Sequence, residues 1–131
     1  MKLLLDTQAL LWWRQGHRKL GARARRTIEK DAAGVSVSVA TAWEIAIKFR
    51  RGQLKLSDPP HIWLPRAVEQ GGFDVLDIRI DHALAVARLP EHHTDPFDRL
   101  LIAQAQLEDL TIVTSDAAFE DYDVEVLDAR G

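Results

Sequence analysis

The stretch His92-His93-Thr94-Asp95-Pro96-Phe97-Asp98-Arg99-Leu100-Leu101-Ile102-Ala103-Gln104-Ala105 decides how the chain is read. Pro96 stands where the first helical residue belongs, with Asp95 before it as N-cap and Asp98 three residues beyond the cap. The residues after Arg99 are apolar on almost every side: Leu100, Leu101, Ile102, Ala103, Ala105 and Leu107. A helix greasy all round belongs inside a molecule, so a buried helix is predicted from 95 to about 108. Its first turn nevertheless carries two carboxylates at i and i+3, on one face. Such a pair serves capping at the positive end of the helix dipole, or it points at a ligand. The other acids of the chain bear on the choice.

Working outward, the chain alternates strands and helices. Residues 2–5 read as a short buried strand ending on Asp6-Thr7, followed by a helix from 7 to about 15 that Gly16 stops. A more charged helix covers 20 to about 32, and Val35-Ser36-Val37-Ser38-Val39 alternates with period two, as a strand does. Helix returns at 40–51, closed by Gly52, and another opens at Asp58-Pro59-Pro60 and runs to about 70. A strand is expected at 73–76 and a helix at 80–89, halted by Pro90. Beyond the opening helix come a strand at 111–114, a helical turn at 116–119 and a last strand at 124–127. This alternation predicts an α/β three-layer sandwich, with a central, mainly parallel sheet of about four to five strands flanked by helices. With no repeat and no dividing linker, 1–131 reads as a single domain. His92-His93-Thr94 reads as the mobile loop.

At 131 residues the chain can bury a substantial core, and its 47% hydrophobic and 28% charged content is that of a soluble globular protein. It has no cysteine, which excludes disulfides, thiolate catalysis and Cys-based zinc sites. No run reaches the length of a membrane span, and Asp6 interrupts the opening Leu run, so neither signal peptide nor anchor is read; a cytoplasmic location fits. The formal charge of −3 does not advertise a nucleic-acid binder. The basic residues are nevertheless clustered, from Arg14 to Arg26 and from Lys48 to Lys55, as a solvated face or as a phosphate-contacting strip.

In open parallel sheets functional groups gather beyond the carboxyl ends of the strands. Asp6 ends the first strand, Asp116 lies two residues past the strand that ends at Thr114, and Asp95 and Asp98 open their helix toward the same rim. Glu44 sits about one and a half turns into the helix after the second strand, roughly 9 Å along its axis. Each acid has a plain alternative: Asp6 and Asp116 as caps, Glu44 as the partner of Lys48 in an i,i+4 pair on a polar stripe. Caps, however, have no reason to recur at every strand exit on one side. If these carboxylates converge they cannot all ionise unpaired, and a cation has to compensate. Without Cys and without a His-x-x-x-His pair, an all-oxygen site for a hard cation, Mg²⁺ or Mn²⁺, is indicated. Such an ion activates water and steadies an in-line phosphodiester displacement. Thr7, Ser38, Thr114 and Ser115 are candidates to orient the acids, and Arg99 and Lys48 to hold a phosphate.

Leu4-Leu5-Asp6-Thr7, Trp43-Glu44-Ile45, the long stretch from Asp95 to Ala105, and Val113-Thr114-Ser115-Asp116, in that order, resemble the PIN-domain family, and more closely its VapC-type toxins of toxin–antitoxin pairs. The resemblance spans nearly the whole chain. It implies a parallel sheet sandwiched by helices, Mg²⁺- or Mn²⁺-dependent endoribonuclease activity on RNA, a homodimer, and inhibition by a small cognate antitoxin. It places Asp6, Glu44, Asp98 and Asp116 on the family's acidic positions, as catalytic and metal-binding residues, with Asp95 as an additional acid. Asp98 is favoured over Asp95 as the nearer ligand because it directly precedes the Leu-Leu-Ile-Ala helix. Two other classes compete. A signalling receiver module wants two adjacent acids after the first strand and a Lys after a late one; Asp6 has no acidic neighbour, and Thr114-Ser115-Asp116 offers no Lys. A catalytically silent binding module of the same fold would not need the full acid set. No DNA-reading motif is present, so sequence-specific DNA contact is not expected of this chain alone. Trp12, Trp13, Trp43 and Trp63 are read as core, except that consecutive Trp12 and Trp13 cannot share one core, which leaves one for a dimer or antitoxin contact.

Overall fold

The computed structural model describes residues 2–131. Five strands form one sheet: β1 (Leu3–Leu5), β2 (Val35–Ser38), β3 (Asp74–Leu76), β4 (Thr111–Thr114) and β5 (Val126–Asp128). Their order is β3-β2-β1-β4-β5, and every neighbouring pair is parallel. Six helices make the crossovers and outer layers: α1 (Thr7–Gln15), α2 (Ala22–Lys30), α3 (Val39–Arg50), α4 (Pro60–Gly71), α5 (Ile80–Ala85) and α6 (Pro96–Glu108). This is the α/β sandwich the alternation predicts, with five strands and no antiparallel pair among the described residues.

The layers result from the two-residue period of a strand. Leu3 and Leu5 face one core with Leu10, Trp12, Ile28 and Trp63. Leu4 faces the other, with Leu101, Ile102, Ile112 and Phe119. Because the sheet is covered on both sides, β1 is three consecutive fully buried leucines rather than an alternating strand. α6 lies under the second core, and Leu101 through Ala105 are all buried.

Four of the sequence expectations need correction. Trp12 and Trp13 do share one core, because Phe73, just ahead of β3, closes the flank and packs against Trp13 at 4.8 Å between ring centroids. Trp43, read as core, is 59% exposed. α5 is shorter than the helix expected over 80–89 and gives way to a 3₁₀ turn at Val86–Arg88. The carbonyls of Val86, Leu89 and Pro90 turn instead to the Arg99 guanidinium. The loop read as mobile is tied down: the Tyr122 hydroxyl accepts the backbone N–H groups of His92 and His93 at 3.1 and 2.8 Å.

Candidate metal centre

The strand order reverses at β1, and the crevice between β1 and β4 at their carboxyl ends is where a parallel sheet of this kind receives ligands. Asp6 directly succeeds β1, and its N–H donates to the Val113 carbonyl of β4. Ser115 and Asp116 succeed β4. A cavity of about 350 Å³ opens here, lined by Asp6, Glu44, Asp95, Asp98 and Asp116 together with Thr7, Lys48 and Ser115. Four separated chain segments thus bring five carboxylates to one place. Gln8 and Gln53 also line it, and neither carries a signal in sequence.

Capping geometry positions three of the acids. Asp6 caps α1 through Oδ1, which accepts the Ala9 N–H at 2.7 Å. Asp95 caps α6, accepting the N–H groups of Phe97 and Asp98 at 2.8 and 3.1 Å. Asp116 Oδ1 accepts the Ala118 N–H at 3.0 Å. Glu44 is no solvent-facing partner of Lys48: it is buried, it accepts the Thr7 hydroxyl, and Lys48 Nζ meets its other oxygen at 2.6 Å. The Thr114 hydroxyl hydrogen-bonds Asp6 and accepts the Asp116 N–H. Ser38, in contrast, caps α3 and donates to Gln104, away from the acids.

Burial combined with mutual repulsion leaves the cluster short of positive charge. The Asp98 carboxyl is pushed up to about 8, first by burial and then by Asp95, Asp6, Glu44 and Asp116. Asp6 is raised to about 6 by burial, against the lowering hydrogen bonds from Thr114 and Ala9; Glu44 and Asp116 add to the rise. Lys48 is raised in turn, chiefly by its bond to Glu44 and further by Asp95 and Asp98. One ammonium among five carboxylates does not balance them. A donor set dominated by carboxylate oxygens in a partly buried cavity fits a hard divalent cation such as Mg²⁺ or Mn²⁺.

Arg99, expected to hold a phosphate, does something else. Its Nη1 donates to the Pro90 and His93 carbonyls at 2.8 and 3.3 Å, and Nη2 to the Val86 carbonyl at 3.1 Å. One residue beyond Asp98 is about 100° around the helix. Arg99 therefore leaves the cavity and pins the preceding loop. The residue that sequence reasoning missed is His93. Its Nε2 lies 3.0 Å from Asp98 Oδ2 and 3.2 Å from Asp116 Oδ2, so His93, Asp98 and Asp116 each offer a ligand atom within 4.8 Å of the others. The only available signal was position: a residue two before an N-cap can fold back over the first turn, where Asp98 sits.

The PIN domain family model matches residues 3–125. Solved structures share the fold at low identity. VapBC2 from Rickettsia felis, bound to a DNA fragment from its promoter, superposes with a TM-score of 0.73 at 15% identity, covering 97% of this chain and 98% of the other. DNA-bound VapBC from Salmonella typhimurium gives 0.73 at 17% identity, covering 98% of each. A toxin–antitoxin complex from Klebsiella pneumoniae gives 0.68 at 20% identity, covering 98% of each. No curated protein matches the chain.

Proposed function

The chain belongs to the PIN-domain family, and from that premise we propose that it is a Mg²⁺- or Mn²⁺-dependent endoribonuclease, the toxin of a toxin–antitoxin pair. One observation carries the reading: five carboxylates from four segments share one cavity, and Asp98 there is raised to about 8. Such a cluster is tolerable at neutral pH when a divalent cation neutralises it. The bound ion supplies charge compensation for a phosphodiester and lowers the pKa of water at the site.

The remaining roles fall to the chain itself. Asp6 and Asp98 are the principal ligands, with Glu44 and Asp116 completing the catalytic set and Asp95 adding negative charge at the rim. Thr7 and Lys48 hold the Glu44 carboxylate, and Thr114 holds that of Asp6. The Lys48 ammonium, partly exposed beside the cavity, is the cation placed to meet a substrate phosphate. Ser115 lines the same wall.

The structural neighbours include toxin–antitoxin complexes, which supports a small antitoxin as the partner of this chain. In the DNA-bound examples the bound species is the complex; DNA contact here is assigned to the antitoxin. A homodimer, a single domain over 1–131 and a cytoplasmic location complete the proposal. No helix among the described residues is long and apolar enough to cross a membrane. The experiment is direct. Purified protein cuts RNA with Mg²⁺ or Mn²⁺ and stops with chelator, and Asp98→Asn abolishes cutting while the circular dichroism spectrum persists. Full cleavage by Asp98→Asn overturns the assignment, and a wild type that binds antitoxin but never cuts RNA favours the silent binding module.

A further inference from the structure

The run from Lys48 to Lys55 holds four cations, and no acid occurs between Glu44 and Asp58. α3 ends inside this run in a tight reversal. Gly52, at φ 71°, donates its N–H to the Phe49 carbonyl at 3.0 Å, and Gln53 donates to the Lys48 carbonyl at 2.9 Å. The reversal returns Gln53 and Leu54 to the wall of the acid cavity, beside Lys48. Beyond it, half-buried Leu54 and Leu56 pack against the first core, while Gln53 and Lys55 alternate with them and are exposed. The cationic segment is thus clamped to the body of the protein at the edge of the cavity.

Of the four cations, only Lys48 has a carboxylate within 4 Å among the described residues. Arg50 and Arg51 stand at the negative end of the α3 dipole, a sufficient structural reason for both. Lys55 lies past the reversal, where that dipole gives no reason for it. The other basic cluster is different in kind. On α2, Arg25 pairs with Glu29 at 3.8 Å, and Arg23, Arg26 and Lys30 share their hollow with Glu29 and Asp31.

A nuclease of this design faces an electrostatic conflict. The carboxylates that would hold the ion repel the polyanion to be cut, and the chain as a whole is negative at −3. Attraction has to come from local cations that neutralise backbone phosphates. We propose that Arg51 and Lys55, with Gln53 between them, form a docking strip for the sugar–phosphate backbone of an RNA strand whose scissile bond lies in the adjacent acid cavity. This rests on the nuclease reading and adds the side on which the strand leaves the cavity. Phosphate contacts carry no sequence information, so the strip sets affinity and strand direction and leaves base choice to other residues.

The test is fluorescence anisotropy of a labelled oligouridine in EDTA, where no metal-dependent cleavage competes, from about 50 to 200 mM KCl. Arg51→Gln and Lys55→Gln each lower the slope of log affinity against log salt by about 0.7, which is roughly fivefold weaker binding at 0.1 M salt. The double variant loses both increments. In Mn²⁺ the KM for cleavage rises to match, kcat at saturating RNA holds, and melting temperatures do not move. Arg26→Gln, on α2, keeps wild-type binding. Unchanged slopes and KM in the variants, with a wild type that cuts RNA, overturn the strip and leave the nuclease standing. If those variants instead lose only the antitoxin, the strip belongs to an acidic peptide and the inference falls. An equal loss in Arg26→Gln also overturns it, since diffuse positive charge would then suffice. A wild type that neither binds nor cuts RNA overturns both readings.

Discussion

Loading the centre with a cation should expel protons, and the number is set by the two raised carboxyls. Asp98 is pushed up to about 8 and Asp6 to about 6. At pH 7 a group titrating near 8 carries its proton in about nine molecules of ten, and one near 6 in about one of ten. Binding a divalent ion requires both carboxylates ionised, so about one proton leaves per ion at pH 7, nearly two at pH 5 and about a tenth at pH 9. Apparent affinity accordingly rises about tenfold per pH unit between 6 and 8, more steeply below 6, and levels off above about 9. The assay is Mn²⁺ calorimetry in pairs of buffers with different ionisation enthalpies, whose slope counts protons. Stability carries the same signature. Both folded-state values lie above the ordinary Asp value of 3.8, so this contribution is full below about pH 4. It is lost as pH rises through 6 and 8. Without divalent ions the protein therefore melts lower at pH 8.5 than at pH 5, and Mg²⁺ narrows the gap. A proton count near zero at pH 7, with affinity flat from pH 6 to 8, would refute the reasoning, since the cavity would then hold no excess of negative charge.

Replacing Arg99 tests its reassignment: Arg99→Ala strands several part-buried carbonyls, a loss on the order of 3 kcal/mol, or roughly 10 °C in melting temperature. Arg99→Lys destabilises nearly as much, because an ammonium cannot bridge the Pro90, His93 and Val86 carbonyls with a planar fork; a phosphate-holding role would instead leave the Lys variant close to wild type in thermal melts. Asp95→Ala removes the α6 cap and costs about 1 kcal/mol, whereas Asp95→Asn keeps an accepting oxygen and stays within a few tenths. Both variants remove a charge that raises Asp98, so both reduce the protons released on Mn²⁺ binding at pH 7.

The sheet and the acid set are legible in the sequence because both depend on local signals. A strand that stops at an acid or a hydroxyl, with a helix starting at once, places that residue on the carboxyl rim whatever the rest of the chain does. Inference from adjacency is what fails. Arg99 is the chain neighbour of Asp98, yet one step along a helix turns a side chain about 100° away. Arg99 accordingly faces the loop carbonyls. Lys48, four residues from Glu44, does share its face, by the same geometry. His93 is hidden in the sequence because loops have no periodicity, and because the hydroxyl that fixes it belongs to Tyr122, twenty-nine residues further along the chain.

Capping and ion binding look like rival explanations of the same acids, yet at Asp6, Asp95 and Asp116 a side chain that caps a helix or turn also lines the cavity. Asp6 and Asp116 each commit Oδ1 to a helix or turn N–H, which fixes the χ angles, and Asp116 Oδ2 meets His93 Nε2 at 3.2 Å. Asp6 Oδ1 has no freedom to follow a ligand, so its carboxylate is set in place before any cation arrives, at the cost of the repulsion that raises Asp98. The backbone N–H of Asp95, the cap itself, donates to His93 Nδ1, and His93 Nε2 meets Asp98 and Asp116. An acid-to-amide change at a cap therefore keeps the helix start and removes charge from the cavity. Variants at Asp6 and Asp116 should separate stability from ion binding as cleanly as Asp95→Asn does, which a purely structural set of caps would not allow.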